Sequence, residues 1–203
     1  MRVLGVTGGT GTGKSTVTGI LKKMGCEVID ADKIAKSLQR KGTAVFREIV
    51  EYFGEEAVDK ETGELDRGRL SKRVFDSPGD LLVLNRIVHK AVAKEIKRRL
   101  TVLRKRDVAC AVLDVPIPVE NGFFDVSDCV WAVVANDDLR IERLMERNGY
   151  TEEEAERRIA AQLSNSEYAA LADVVIDNEG TYEELERLVD FEFRHTVLPD
   201  EKP

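Results

Sequence analysis

The chain has 203 residues, 42% hydrophobic and 34% charged, which suits one domain with a sizeable core and demands no second one. A formal net charge of −7 excludes a protein-wide electrostatic grip on nucleic acid or on an anionic membrane, so a phosphate-bearing ligand must be held by a local cluster. Cys26, Cys110 and Cys129 are odd in number, widely spaced and without a C-x-x-C pair, which argues against a disulfide framework or a zinc site and fits a reducing cytoplasm. No export signal and no run of membrane-spanning length is read, and disorder is expected only at Pro199 to Pro203.

Arg2 to Thr7 is apolar and β-branched, of strand length, and Thr16 to Met24 reads as a helix. Between them Gly8-Gly9-Thr10-Gly11-Thr12-Gly13-Lys14-Ser15 fills the pattern G-x-x-x-x-G-K-[ST] in the context that pattern requires, a P-loop. Glycines let consecutive backbone N–H groups turn around phosphate oxygens at a helix N-terminus. Lys14 supplies a point charge for the β- and γ-phosphates, and the Ser15 hydroxyl is placed to ligate Mg²⁺.

Gly25 ends the first helix, and Cys26 to Ile29 reads as a second short strand running out into Asp30-Ala31-Asp32. In open α/β sheets ligands lie beyond the carboxyl ends of strands, which sets these carboxylates beside the phosphate site; one of them could equally cap a helix beginning near Lys33. From about residue 32 to 106 the pattern is helical and charged, an insertion without a convincing strand. Phe46, Ile49, Val50 and Phe53 form a packing stripe, and Ser77-Pro78 opens a long helix whose face is Leu81, Leu84, Val88, Val92, Ile96, Leu100 and Leu103. Arg67, Arg69 and Arg73 gather near Gly68, either as a solvated face or as a clamp for an anionic acceptor. His89 sits beside that helix's stripe, and His195 falls in the last helix.

Ala109 to Val115 is an apolar run broken only by Asp114, as expected of a strand buried on both faces. Asp114 stands where a Walker-B acid would hold Mg²⁺. Pro116 and Pro118 end the strand before Glu120-Asn121, and Cys129 to Ala135 is the next buried strand. Asn136-Asp137-Asp138 opens a helix carrying Arg140, Arg143 and Arg147, and a second helix opens at Thr151 with Glu154 in capping-box position and runs through Arg157, Arg158 and Gln162. Joined by Asn148-Gly149-Tyr150, the two read as a hinged flap that could exclude water and neutralise phosphoryl charge, or as an exposed hairpin whose glutamates balance its arginines. Ala172 to Asp177 is a last strand, its polar turn Asn178-Glu179-Gly180 could cup a base, and Thr181 and Glu184 cap the closing helix.

This ordered set resembles the dephospho-coenzyme A kinase family of P-loop kinases, with a likeness to nucleoside-monophosphate kinases. The likeness rests on Thr7 to Thr16, Val28 to Asp32, Phe75, Leu113-Asp114-Val115-Pro116, Val119-Glu120-Asn121, the arginine helices through Gln162, and Ala172 to Gly180. It implies an α/β, three-layer P-loop fold with a parallel sheet: a core of about residues 1–31, 107–136 and 168–198, a helical CoA-binding insertion of about 32–106, and a small helical lid of about 137–167. It implies Mg²⁺-dependent transfer of the ATP γ-phosphoryl to the ribose 3′-hydroxyl of dephospho-CoA, the last step of coenzyme A synthesis, in the cytoplasm. The partners are then small molecules, with no nucleic acid or membrane, and the chain a monomer or weak homo-oligomer.

In that likeness Asp32 is the base toward the acceptor hydroxyl, with Lys14 and Arg143 on the phosphates. Gly8, Gly9, Gly11, Thr12, Gly13, Lys14, Ser15, Thr16, Arg143, Arg147, Asn178 and Gly180 hold the nucleotide, and Ser15 and Asp114 the metal. Asp30, Asp32, Arg73, His89, Pro116 and Glu120 serve the acceptor. Two departures fall on the acceptor side: His89-Lys90 where the family has His-Pro, and Ile117-Pro118 where it has two leucines. They leave open a kinase for another small hydroxylated acceptor. A nucleotide-gated switch fits less well, because the guanine-reading N-K-x-D is absent and the loose D-x-x-G matches at Asp76 and Asp177 are expected by chance.

Overall fold

The structure, a computed structural model, describes residues 1–197, so the disorder expected at Pro199 to Pro203 falls outside the described residues. The chain forms two compact units: Met1–Asp30 with the described residues from Arg99 onward, and Ala31–Arg98.

The first unit is built on five parallel strands in the order β2-β3-β1-β4-β5. These are β1 (Arg2–Thr7), β2 (Glu27–Asp30), β3 (Cys110–Asp114), β4 (Cys129–Val134) and β5 (Val174–Asp177). Side chains alternate across the sheet, so Leu4, Val6, Val112, Trp131, Val133 and Ile176 face one layer. There they pack on α1 (Lys14–Lys23) and α9 (Tyr182–Glu192) through Val17, Ile20, Leu21, Leu185 and Val189. The opposite face carries α8 (Asn165–Ala170) against β4 and the turn around Phe123, giving three layers as the α/β pattern requires. Phe123 is fully buried because residue 5 is glycine: a Cβ there would lie 2.8 Å from the Phe123 ring and 2.9 Å from Ser127 Oγ. Cys26 and Cys110 are free thiols of the core, not a disulfide, and their contact together with burial pushes the Cys110 thiol up.

The helix α6 (Asp137–Asn148) packs on α7 (Glu152–Ala160) around Leu144, Ala155 and Ile159. The capping box at Thr151 and Glu154 forms, and a matching one at Ser164 and Glu167 starts α8, an element the sequence reading passed over. The α7 helix ends at Ala160, before Gln162. The α1 helix starts at Lys14, two residues ahead of expectation, because Gly13 takes a left-handed φ of 87° and lets the chain turn straight into it.

The second unit is helical: α2 (Ala31–Leu38), α3 (Ala44–Phe53), α4 (Arg67–Asp76) and α5 (Pro78–Lys105), within which the boundary between the units falls. Thr43 caps α3 and Asp66 caps α4, and one antiparallel bridge joins Val58 to Leu65. Val45, Ile49, Phe53, Ala57, Leu70 and Ile87 form its core. Ile49, Phe53, Ile96, Leu100 and Leu103 of the stripes read in the sequence are buried, and Leu84 and Val88 pack against the core. Leu81 is exposed while Ile87 is buried, and Val45 is more deeply buried than Phe46. Among the described residues no helix is long and apolar enough to cross a membrane.

Gly5→Ala should destabilise the protein by about 1–3 kcal/mol through overpacking, read as a lower midpoint in urea unfolding. An unchanged midpoint would mean that the Phe123 ring yields without cost.

Candidate active site

The P-loop is shaped by side chains that grip its carbonyls, one from within the loop and three from outside it. Thr12 Oγ1 donates to Gly9 O at 2.9 Å, Arg140 Nε to Thr10 O at 2.9 Å, Arg143 NH1 to Gly11 O at 3.2 Å and Asn178 Nδ2 to Thr12 O at 2.8 Å. Gln162 Oε1 accepts from Thr10 N at 2.6 Å. Gly8, Gly9 and Thr12 are buried behind the loop; at residue 11 a Cβ would lie 2.8 Å from Arg140 O, so only glycine lets the loop lie on α6.

In front of the loop is a cavity of about 510 Å³. Gly11, Gly13, Ser15 and Thr16 line one part, with Arg143, Arg147, Asn178 and Gly180 among its other walls. Glu146, Tyr182 and Leu185 complete it, three residues the sequence did not mark. Arg143 joins its parts, since NH2 donates to Asn178 O at 2.9 Å while NH1 holds Gly11 O. Arg147 donates from Nε to Asn148 Oδ1 at 2.9 Å. The Tyr182 ring is steadied by Lys23, whose Nζ donates to its hydroxyl at 3.1 Å.

Lys14 Nζ and Asp114 Oδ1 form an ion pair in which both side chains are largely buried, and Thr18 Oγ1 lies 3.5 Å from Asp114 Oδ2. Pairing compensates two charges that would otherwise be costly at the end of a buried strand. Asp30 is Asp114's registered neighbour across β2 and β3, so two carboxylates meet at adjacent strand ends. Ser15 and Asp114 offer hard oxygen donors of the kind Mg²⁺ takes. Among the described residues no three His, Cys, Asp or Glu side chains converge on one ion position, so such an ion would draw most of its shell from phosphate and water.

The acceptor-side expectations scatter over both units. Pro116 O accepts from the Tyr168 hydroxyl at 3.0 Å, and burial pushes that phenol up, which keeps it protonated as a donor. The Glu120 side chain falls outside what is described. Asp32, Arg73 and His89 belong to the second unit. Asp32 lies in the first turn of α2, which begins at Ala31 rather than near Lys33, and is exposed. Arg73 is committed within its own unit, with Nε 3.0 Å from Asp80 Oδ2 and NH1 3.0 Å from Phe53 O. His89 is exposed on α5.

A sequence profile described as dephospho-CoA kinase matches residues 2–184. A dephospho-CoA kinase of Carboxydothermus hydrogenoformans is 40% identical over 181 residues, 89% of this chain and 87% of that protein. The chain belongs to the dephospho-CoA kinase family. It is thus a P-loop kinase with a nucleotide substrate, of the family that catalyses the final step of coenzyme A biosynthesis. A solved Thermus thermophilus protein superposes with a TM-score of 0.80 at 30% identity, covering 96% of this chain and 97% of that one. A dephospho-CoA kinase from Campylobacter jejuni shares the fold with a TM-score of 0.70 at 24% identity, covering 98% of each chain.

Asn178 connects the loop to the end of β5. Asn178→Ala removes the donor to Thr12 O and should weaken ADP binding about tenfold, equivalent to about 1.4 kcal/mol, in calorimetric titration. Unaltered affinity would show that this carbonyl needs no tether.

Proposed function

We propose that the protein transfers the γ-phosphoryl group of ATP to the ribose 3′-hydroxyl of dephospho-CoA, with Mg²⁺, giving coenzyme A and ADP. The observation that carries the reading is the P-loop with its outward-held carbonyls, opening on a cavity that joins Gly13, Ser15 and Thr16 to Arg143 and Asn178. Backbone N–H groups at the start of α1 receive the β-phosphate, and Lys14 leaves Asp114 to bridge the β- and γ-phosphates. Arg143 and Arg147 neutralise the charge spread over the transferring group. The Asn178–Gly180 turn, with Tyr182 and Leu185, borders the base. Mg²⁺, when held by Ser15 and Asp114, would offset negative charge on the phosphate oxygens.

Asp32 accepts the proton of the acceptor hydroxyl. It lies exposed in the first turn of α2, just past the end of β2. The Ala31–Arg98 unit receives the acceptor, and the α6–α7 hairpin serves as the lid. Three free cysteines, with no disulfide, suit a reducing cytoplasm.

The test is ADP release with ATP, Mg²⁺ and dephospho-CoA, with the product identified by mass and by the position of its new phosphate. Release should require the acceptor and Mg²⁺, and vanish in Lys14→Ala. Asp32→Asn should lower kcat by about 10²–10⁴ while ATP affinity stays within about threefold, the signature of a lost general base. ATP binding without dephospho-CoA-dependent ADP would refute the acceptor, and near-normal turnover in Asp32→Asn would refute the base.

A further inference from the structure

Arg140 was grouped in the sequence with Arg143 and Arg147, yet it does not share their setting. It is only 1% exposed, whereas Arg143 and Arg147 line the cavity. A buried arginine is rare unless every part of it is engaged. Its Nε donates to Thr10 O at 2.9 Å and its NH1 to Asp137 Oδ1 at 2.8 Å. Its NH2 is buried without a hydrogen-bond partner, and a Cβ added at Gly9 would stand 2.5 Å from it. Gln162, just past α7, lies on the same side of Gly9, where that Cβ would also stand 3.4 Å from its Oε1, and this oxygen takes the Thr10 N–H at 2.6 Å.

We propose that Arg140 and Gln162 are positioning residues for phosphoryl transfer: together they fix the peptide planes on both sides of Thr10 and so aim the P-loop amides. The inference rests on the kinase reading of the same loop. The Thr10 N–H belongs to the Gly9–Thr10 peptide and the Thr10 carbonyl to the Thr10–Gly11 peptide, so Gln162 holds one plane and Arg140 the next. In a trans peptide the N–H points opposite to the C=O. With Thr10 O drawn toward Arg140, the Gly11 N–H must turn to the opposite side. Flanked by Gly9 and Gly11, Thr10 has neighbours that offer little intrinsic resistance to other φ and ψ values. External hydrogen bonds therefore decide the shape.

The two grips come from the two chain ends of one helical hairpin, which meet at its root. Arg140 lies in the first turn of α6 and Gln162 follows the last turn of α7, and Leu144, Ala155 and Ile159 bind the two helices together. The root of the hairpin is thus fastened to the phosphate loop itself, and a change in its inclination is transmitted to the Thr10 peptides. Asp137 neutralises the buried guanidinium, leaving it to act as an oriented donor rather than as a free charge in front of the nucleotide.

The experiment compares Gln162→Ala, Gln162→Leu and Gln162→Glu with the wild type in steady-state assays and in ADP titrations. Arg140→Ala is assayed with and without added guanidinium. The Ala and Leu variants should lose about tenfold in kcat/KM for ATP and about tenfold in ADP affinity, with KM for dephospho-CoA within about twofold. Gln162→Glu keeps an oxygen acceptor for the Thr10 N–H and should restore most of the loss, and guanidinium should partly rescue Arg140→Ala. Equal losses for ATP and acceptor, no change in ADP affinity, or a Glu variant as poor as Leu would overturn the proposal. Wild-type turnover is measured first: its absence would sink the assignment of the acceptor, while the ADP titrations of the Gln162 variants would still judge the clamp.

Discussion

Four successive carbonyls, from Gly9 to Thr12, each accept a hydrogen bond from a side chain, and the site depends on that arrangement. A loop that binds a polyphosphate must present amide N–H groups and hide carbonyl dipoles, which repel the same anion. Glycines make such a turn accessible but do not choose it. Here the choice is made by Thr12 from within the loop, by Arg140 and Arg143 from α6, and by Asn178 from the end of β5.

The sheet order explains why those donors are at hand. With β1 between β3 and β4, the loop leaving β1 has a carboxylate on one side and hydrogen-bond donors on the other. Asp114 at the end of β3 pairs with Lys14, and β4 leads into the arginines of α6. One edge further, β5 ends at Asn178, whose amide reaches Thr12 O and whose own carbonyl takes Arg143. A chain of net charge −7 thereby assembles a local cationic wall. The cations that lie deep, Lys14 and Arg140, each have an aspartate partner, as the cost of burying bare charge requires.

Much of this was legible in the sequence because it rests on local rules. The glycine spacing, the apolar run before it, the lone carboxylate in the Ala109–Val115 strand and the capping box at Thr151 are all short-range signals, and the α/β fold follows from them. The inward turn of Arg140 was not legible. Residues 140, 143 and 147 share one face by spacing alone, and only the docking of α6 on the P-loop separates the clamping arginine from the cavity arginines. Gln162 was hidden for a similar reason: it reads as the end of a helix until α7 stops at Ala160 and frees the side chain to meet Thr10. Glu146, Tyr182 and Leu185 reach the cavity through packing of distant segments, which no local pattern records. Arg73 went the other way: its partner Asp80 lies across the break between α4 and α5, so the clamp reading could not be weighed against an intra-unit ion pair.

Amide NMR shifts of the labelled protein on adding ADP and Mg²⁺ test most directly whether the loop's carbonyls are held outward so that its amides meet phosphate. The amides of Gly11, Gly13 and Ser15 should move strongly downfield, while that of Thr10, already donated to Gln162, should stay nearly fixed. A Thr10 amide that shifts as far as the others, or P-loop amides that do not respond to the nucleotide, would contradict it.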